Sequence, residues 1–212
     1  MKTFVENDFP GYLLDMNEFE PIGPIEVVGH TKMCQFRHIK YNKDFYVRFP
    51  PESDNVPAVQ RRLLDEIWIQ IRLRHPSIQL FRGFTLPRDG VKFPAALFFD
   101  YNYLMTLQDV IDLEIQNKAP PEWTPTKKSC VVFGLTAALK YVHSQHIIHN
   151  NIKTTKILLN KDFEPFLSDF SNASVVSSCT EGCLTKKSGT AMWRSPEMYN
   201  NDPYTLPSDV YS

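Results

Sequence analysis

The chain has 212 residues, a formal net charge of −1 and 42% hydrophobic residues, enough for one large or two small folded units with an ordinary core. A balance so close to neutral excludes an electrostatic footprint for nucleic acid or for an anionic membrane surface. No apolar run approaches the roughly 20 residues of a membrane helix; the longest, Cys130 to Leu139, is interrupted by Gly134 and Thr136.

Residues 1–18 mix acidic side chains, Pro10 and Gly11 with scattered aromatics. They read as a partly ordered extension in which Tyr12-Leu13-Leu14 packs on the domain, and they lack the apolar centre of a signal peptide. Short β-type runs follow at Ile25 to Val28, Met33 to Ile39 and Phe45 to Phe49, with a hairpin turn at Asn42-Lys43-Asp44. Pro57, after Asp54-Asn55, opens a helix in which Leu63, Leu64, Ile67 and Ile71 recur at helical spacing and predict one buried face. Ile78 to Thr85 and Pro94 to Phe99 read as strands around a turn at Arg88-Asp89-Gly90. Leu107 to Ile115 is helical by pattern, and Pro120, Pro121 and Pro125 break the chain. Thr126 to Ser144 is a long helix with Val132, Leu135, Leu139 and Val142 on its buried face.

That helix delivers the chain to a short strand at Ile147-Ile148, a polar loop, and a strand at Ile157-Leu158-Leu159. A turn at Asn160-Lys161-Asp162 leads to a further strand at Phe166-Leu167. A polar loop held between buried strands is where catalytic side chains usually sit, because the strands fix it. Ser174 to Ser188 is rich in Ser, Thr and Cys and reads as mobile. Cys179 and Cys183 have no matching His/Cys pair after them, which makes a poor zinc site. The cysteines are read as reduced thiols, and this places the chain in the cytoplasm.

The loop His146-Ile-Ile-His-Asn-Asn-Ile-Lys-Thr-Thr-Lys-Ile-Leu-Leu-Asn160 resembles the catalytic loop of the eukaryotic protein kinase family. His75-Pro76-Ser77-Ile78, Asp169-Phe170-Ser171, Gly189 to Glu197 and Asp209-Val210-Tyr211 resemble further motifs of that family, in order and at matching spacing. The resemblance runs from about Phe19 to Ser212. It implies an α+β, two-lobe protein-kinase-like fold beyond the extension 1–18: a β-rich N-lobe at about 19–99 with its helix C, and a helical C-lobe at about 100–212 that stops in helix F. Apolar surface on the helix 126–144 and around Trp193 would then lack part of its cover.

The resemblance also assigns positions. The glycine-rich loop falls on Gly29-His-Thr-Lys-Met-Cys-Gln-Phe36, where only Gly29 keeps the pattern, while Thr31 and Cys34 bring a Cβ where bare backbone would approach phosphates. Tyr46 stands where a small Ala roofs the adenine, and Arg48 where a Lys holds phosphates. Glu66, nine residues before His75, is the expected partner of Arg48. Phe99 takes the gatekeeper place, Asp100 the usual hinge Glu and Tyr101 the hinge. Phe36 and Leu158 complete the nucleotide-pocket positions.

In the catalytic loop, Asn150 replaces Arg and Asn151 replaces the Asp that serves as general base. Lys153 is retained, as in serine/threonine and tyrosine-kinase-like groups. Lys156 replaces the Asn that holds a second Mg²⁺. Asp169, the other metal position, is kept, with Ser171 in place of Gly. ATP and Mg²⁺ are the cofactors the family implies, and these exchanges remove any firm expectation of either. The favoured reading is a pseudokinase that binds protein partners in signalling. The alternatives are a weakly active ATP-dependent serine/threonine protein kinase and a truncated gene product without stable function.

Overall fold

In the computed structural model the residues described are 10–28, 31–51, 56–86, 95–176 and 189–212. Gly29, the Asp54-Asn55 cap, the turn at Arg88-Asp89-Gly90 and most of the polar segment 174–188, with Cys179 and Cys183, lie outside them, as does the side chain of Thr31. The chain divides into two compact units, Met1–Ile67 with Leu80–Tyr101, and Trp68–Gln79 with Asn102–Ser212.

The first unit is a sheet. Its strands are β1 (Phe19–Pro21), β2 (Glu26–Val28), β3 (Thr31–His38), β4 (Lys43–Phe49), β5 (Phe81–Thr85) and β6 (Ala96–Asp100). They pair antiparallel in the order β1-β3-β4-β6-β5, with β2 also on β3. Alternation along β4 sorts the side chains: Phe45, Val47 and Phe49 are buried, while Asp44, Tyr46 and Arg48 lie on the other face. Cross-strand register puts Cys34 opposite Val47 and Phe36 opposite Phe45. These residues join Met16, Phe19, Ala96 and Phe98 in the core. Asn42 takes the hairpin turn with φ of 49°, a left-handed conformation that Asn tolerates well.

Within the stretch 10–18, Tyr12 and Leu14 pack on this unit, as expected, and Met16 joins its core. The Leu14 N–H donates to the Phe84 carbonyl at 2.9 Å, Tyr12 stacks on Phe81 at 5.9 Å, and Met16 is buried. Gly83 lies so close to the Tyr12 carbonyl and the Leu14 side chain that a Cβ would collide with both.

Helix α1 (Val56–Arg72) belongs to the first unit up to Ile67 and to the second from Trp68. Leu63 and Ile67 are buried on it, as expected, together with Glu66, Ile69 and Gln70.

The second unit contains α2 (Leu107–Ile115), α3 (Pro125–Ser144), α4 (Pro196–Asn200) and α5 (Ser208–Tyr211). It also contains β7 (Met105–Thr106), β8 (Ile147–Ile148), β9 (Ile157–Leu159), β10 (Pro165–Leu167) and β11 (Ser174–Val175). The pairings are β10-β9-β7 and β11-β8. Thr106 and Asp109 form a reciprocal cap on α2. Pro125 starts α3 instead of breaking the chain: it occupies the first helical turn behind the Thr124 cap, where its missing N–H costs nothing.

Two further sequence expectations need correction. The buried stripe of α3 runs through Val131, Ala138 and Val142, with Leu135 partly buried, and Val132 is 65% exposed. A shift of one residue turns a side chain about 100° around the helix axis. The strand expected from Ile78 starts only at Phe81; Ile78 makes a single bridge to Leu167 and packs in the second unit. Among the described residues no helix is long and apolar enough to cross a membrane.

Candidate functional site

The polar loop after β8 is held by one carboxylate. Asp209, buried on α5, accepts the His149 backbone N–H at 2.7 Å through Oδ2 and the Asn150 N–H at 2.8 Å through Oδ1. His143 Nε2 lies 2.9 Å from Oδ2. Asn150 adopts φ of 64°, another left-handed position that suits Asn. His149 is wholly buried, and burial pushes its imidazole pKa down, against the opposing pull of Asp209 and the Ser168 carbonyl. Nε2 lies 3.0 Å from the Ser168 carbonyl, and Nδ1 accepts the Asn151 N–H at 3.2 Å. One neutral tautomer satisfies both contacts, with the proton on Nε2. The Phe170 ring meets His149 edge-on at 4.6 Å.

The segment after residue 188 closes on this loop. Gly189 has φ of 70° and sits against the Asn150 carbonyl, in space a Cβ would need. The Thr190 hydroxyl donates to Asn151 Oδ1 at 3.1 Å and accepts from Lys153 Nζ at 2.9 Å. Burial pushes the Lys153 pKa down, and Lys156 adds to this. The Asn150 amide donates to the Asn172 carbonyl at 3.0 Å and to Ser174 Oγ at 3.2 Å. Asn150 thus ties the loop to the start of the following segment with a short neutral side chain.

The two positions that the resemblance assigns to metal ligands face each other. Lys156 Nζ lies 2.6 Å from Asp169 Oδ2, and the Ser171 hydroxyl donates to Asp169 Oδ1 at 2.6 Å. Asp169 itself has φ of 62°. Mg²⁺ requires near-octahedral oxygen ligands at about 2.0–2.1 Å. Here one carboxylate oxygen carries an ammonium and the other a hydroxyl, and the second ligand position supplies positive charge instead of an oxygen. The residues present do not fit a divalent cation.

In the first unit, Arg48 and Glu66 form an ion pair with both side chains largely buried. The Arg48 guanidinium lies 6.0 Å from the centroid of the Phe99 ring, which meets Phe81 edge-on at 5.7 Å. The Tyr46 hydroxyl contacts the Met33 sulfur. Gln35 Nε2 donates to the Tyr101 hydroxyl at 2.7 Å. Asp100 accepts from Arg82 at 2.7 and 2.5 Å and pairs with Lys43 at 3.1 Å. Burial raises its pKa, but these partners outweigh burial and the net direction is down.

Strand parity separates two expected pocket residues from the rest. Cys34 and Phe36 share the core face with Val47 and Phe45, whereas Met33 and Gln35 share the face of Arg48 and Tyr46. The gap-free match to the glycine-rich pattern is therefore out of step with the strand by one residue. The Cys34 thiol points to the Gly23 carbonyl at 3.2 Å, and burial raises its pKa. Leu158 is buried in β9, opposite Thr106 and Phe166. Met33, Gln35, Thr190 and Asp209 were not assigned roles from sequence. Counting by twos back from Arg48 reaches Phe36 and Cys34; only the four-residue turn 39–42, which pairs His38 with Lys43, brings Met33 and Gln35 opposite Arg48 and Tyr46.

The family model described as protein kinase domain matches residues 29–212. Among curated relatives, the inactive leucine-rich repeat receptor-like protein kinase CORYNE of Arabidopsis thaliana is 28% identical, over 76% of this chain and 38% of its own length. The serine/threonine/tyrosine-protein kinase HT1 of Arabidopsis thaliana is 26% identical, over 78% of this chain and 40% of its own. A protein kinase and PP2C-like domain-containing protein of the same organism is 27% identical, over 76% and 25% respectively. The chain thus spans less than half the length of each of these relatives.

Proposed function

Since the chain belongs to the protein kinase domain family, we propose that it is a catalytically impaired kinase-like domain, a pseudokinase that acts by binding other proteins in signalling. The observation that carries this reading is Asn151. The loop around it is fully built: Asp209 pins the backbone, and Thr190 joins Asn151 to Lys153. Yet the side chain at the position of the general base is a neutral amide. A positioned base typically contributes about 10²–10⁴-fold to rate, and an amide does not take up a hydroxyl proton at neutral pH. The mismatch of Lys156 and Asp169 with Mg²⁺ adds to this, because metal neutralises phosphate charge in phosphoryl transfer. The likeness to a relative named as inactive agrees with the reading. On this reading the domain works in the cytoplasm, with proteins as its partners rather than nucleic acid or membrane.

A second reading, a weakly active serine/threonine protein kinase, is favoured by the intact Lys153–Thr190 contact. Incubation of the purified chain with labelled ATP, Mg²⁺ and general protein substrates separates the two. No transfer above an Asp169→Ala control is expected. Turnover near 1 s⁻¹, about the lower end for protein kinases, lost in a folded Asp169→Ala variant, would overturn the pseudokinase reading. Partner binding is tested by proximity labelling in cells with the natural chain and an Arg48→Ala/Glu66→Ala variant, reading for a defined protein set that depends on the folded domain.

A further inference from the structure

We infer that Lys156 and Ser171 act together as a built-in replacement for a divalent cation at Asp169, so that this turn is set without metal. The inference goes beyond the missing base and does not depend on Asn151, because it concerns which cation the carboxylate accepts.

Three separate observations meet at Asp169. First, the Lys156 ammonium reaches Oδ2 at 2.6 Å, with the two side chains only 24% and 17% exposed. At that depth solvent and salt screen the pair less than at an open surface. Second, the Ser171 hydroxyl occupies Oδ1 at 2.6 Å, and the Ser171 N–H lies 3.4 Å from the same oxygen. A glycine at this position would offer no hydroxyl. Third, the backbone sets the spacing of the ion pair. The Lys156 carbonyl accepts both the N–H and the hydroxyl of Ser168, at 3.0 and 2.9 Å. Ser168 immediately precedes Asp169, so these bonds hold the backbones of Lys156 and Asp169 side by side, within reach of the ion pair.

These observations make the site selective against metal in a definite way. The lysine is tethered, so its binding costs little orientational freedom once the strands have paired. An incoming Mg²⁺ or Mn²⁺ must displace it and then remain beside it, since the chain leaves it nowhere distant to go. Like charges so close disfavour the bound ion. The hydroxyl must also give up its acceptor. Both departures from the family pattern, Lys for Asn and Ser for Gly, therefore act on the same two oxygens. A phosphate-bearing ligand that engaged this unit would do so without a bridging divalent ion.

The test uses Mn²⁺ itself, followed by electron paramagnetic resonance, on the purified 212-residue chain. The natural chain is expected to bind no Mn²⁺ that an Asp169→Asn variant loses, and to melt at the same temperature in Mg²⁺ and in EDTA. The Lys156→Asn/Ser171→Gly double variant is expected to gain an Mn²⁺ site at least about tenfold tighter, in line with the leverage of groups around a metal ligand. Adding Asp169→Asn is expected to abolish it. Mn²⁺ bound by the natural chain and lost in Asp169→Asn overturns the inference. So does a folded double variant that binds no more Mn²⁺ than the natural chain. If the double variant does not fold, Lys156→Gln alone decides by the same comparison. Activity is not the readout, so failure here and failure of the pseudokinase reading are told apart.

Discussion

Asp209 stands 60 residues after His149 in the chain, yet its carboxylate accepts the His149 backbone N–H at 2.7 Å. Its other oxygen accepts the next N–H, that of Asn150, at 2.8 Å. A short helix near the end of the described chain thus carries the acceptor for a loop whose own turn leaves two donors pointing inward. The loop's shape depends on this contact rather than on the identity of the residues that would do chemistry in it.

Replacing Asp209 by Ala should therefore destabilise the second unit. Two buried N–H groups lose their acceptor, each at a cost of about 1–3 kcal/mol, for a total of about 2–6 kcal/mol. Asp209→Asn retains one acceptor oxygen and should lose less. Urea unfolding of the three chains measures the order. A loss below about 0.5 kcal/mol in the Ala variant would mean that water or a rearranged loop satisfies both donors.

Arg48 and Glu66 should be energetically coupled. Both side chains are largely buried, so Glu66→Ala leaves a guanidinium with its principal counter-charge gone, at about 3–5 kcal/mol. Arg48→Met/Glu66→Leu, which removes both charges, should cost less than the two single changes added together. A double-mutant cycle gives the coupling. Additive losses would show that the contact contributes packing only.

His149 predicts an acid-side loss of stability. Its folded pKa is depressed by burial from an ordinary value of 6.5. Below that value the unfolded chain takes up a proton that the folded chain refuses, because both ring nitrogens are already committed. This contribution to stability is therefore complete above about pH 6.5 and is lost as pH falls toward the folded value, at no more than about 1.4 kcal/mol per pH unit. His75 is shifted in the same direction by burial, so the measurement is a difference. Unfolding free energy between pH 7 and about pH 5 should slope less in His149→Gln than in the natural chain. Equal slopes would place the titration elsewhere.

Gly189→Ala should loosen the closing segment. A residue with a Cβ at φ of 70° meets an intrinsic penalty of about 1–2 kcal/mol, and the added carbon would also fall on the Asn150 carbonyl. Amide exchange at Thr190 to Arg194 should speed up in the variant, with a loss of at least about 1 kcal/mol in unfolding free energy. Unchanged exchange would show that the segment is held by Arg194, whose Nη2 donates to the Gly189 carbonyl at 2.8 Å, and by its later contacts instead.

The Arg48–Glu66 pair was legible in the sequence through the family resemblance, which puts Arg48 at the strand-lysine position and Glu66 nine residues before His75-Pro76. Cys34 and Phe36 were not read correctly. A gap-free match to a glycine pattern carries no information about strand parity, and one residue of slip moves every side chain to the other face. The same kind of error put Val132 on the buried side of α3 where Val131 lies. Val131 and Val132 are chemically identical, and only the neighbours Ile157, Leu159 and Trp123 decide between them.

By itself the sequence determined the order of the elements, the family motifs and the chemical losses: an amide at Asn151 and an ammonium at Lys156 are facts of composition that no fold can alter. Tertiary structure decided what those groups do. That Lys156 meets Asp169, that Ser171 takes the second oxygen, and that Asp209 holds the loop all require residues 13 to 60 positions apart, or a local turn, to come within hydrogen-bond range. Hydrogen bonds weaken steeply with small errors in distance and angle, and spacing along the chain does not define positions that closely. Pairing of strands and burial of helices does.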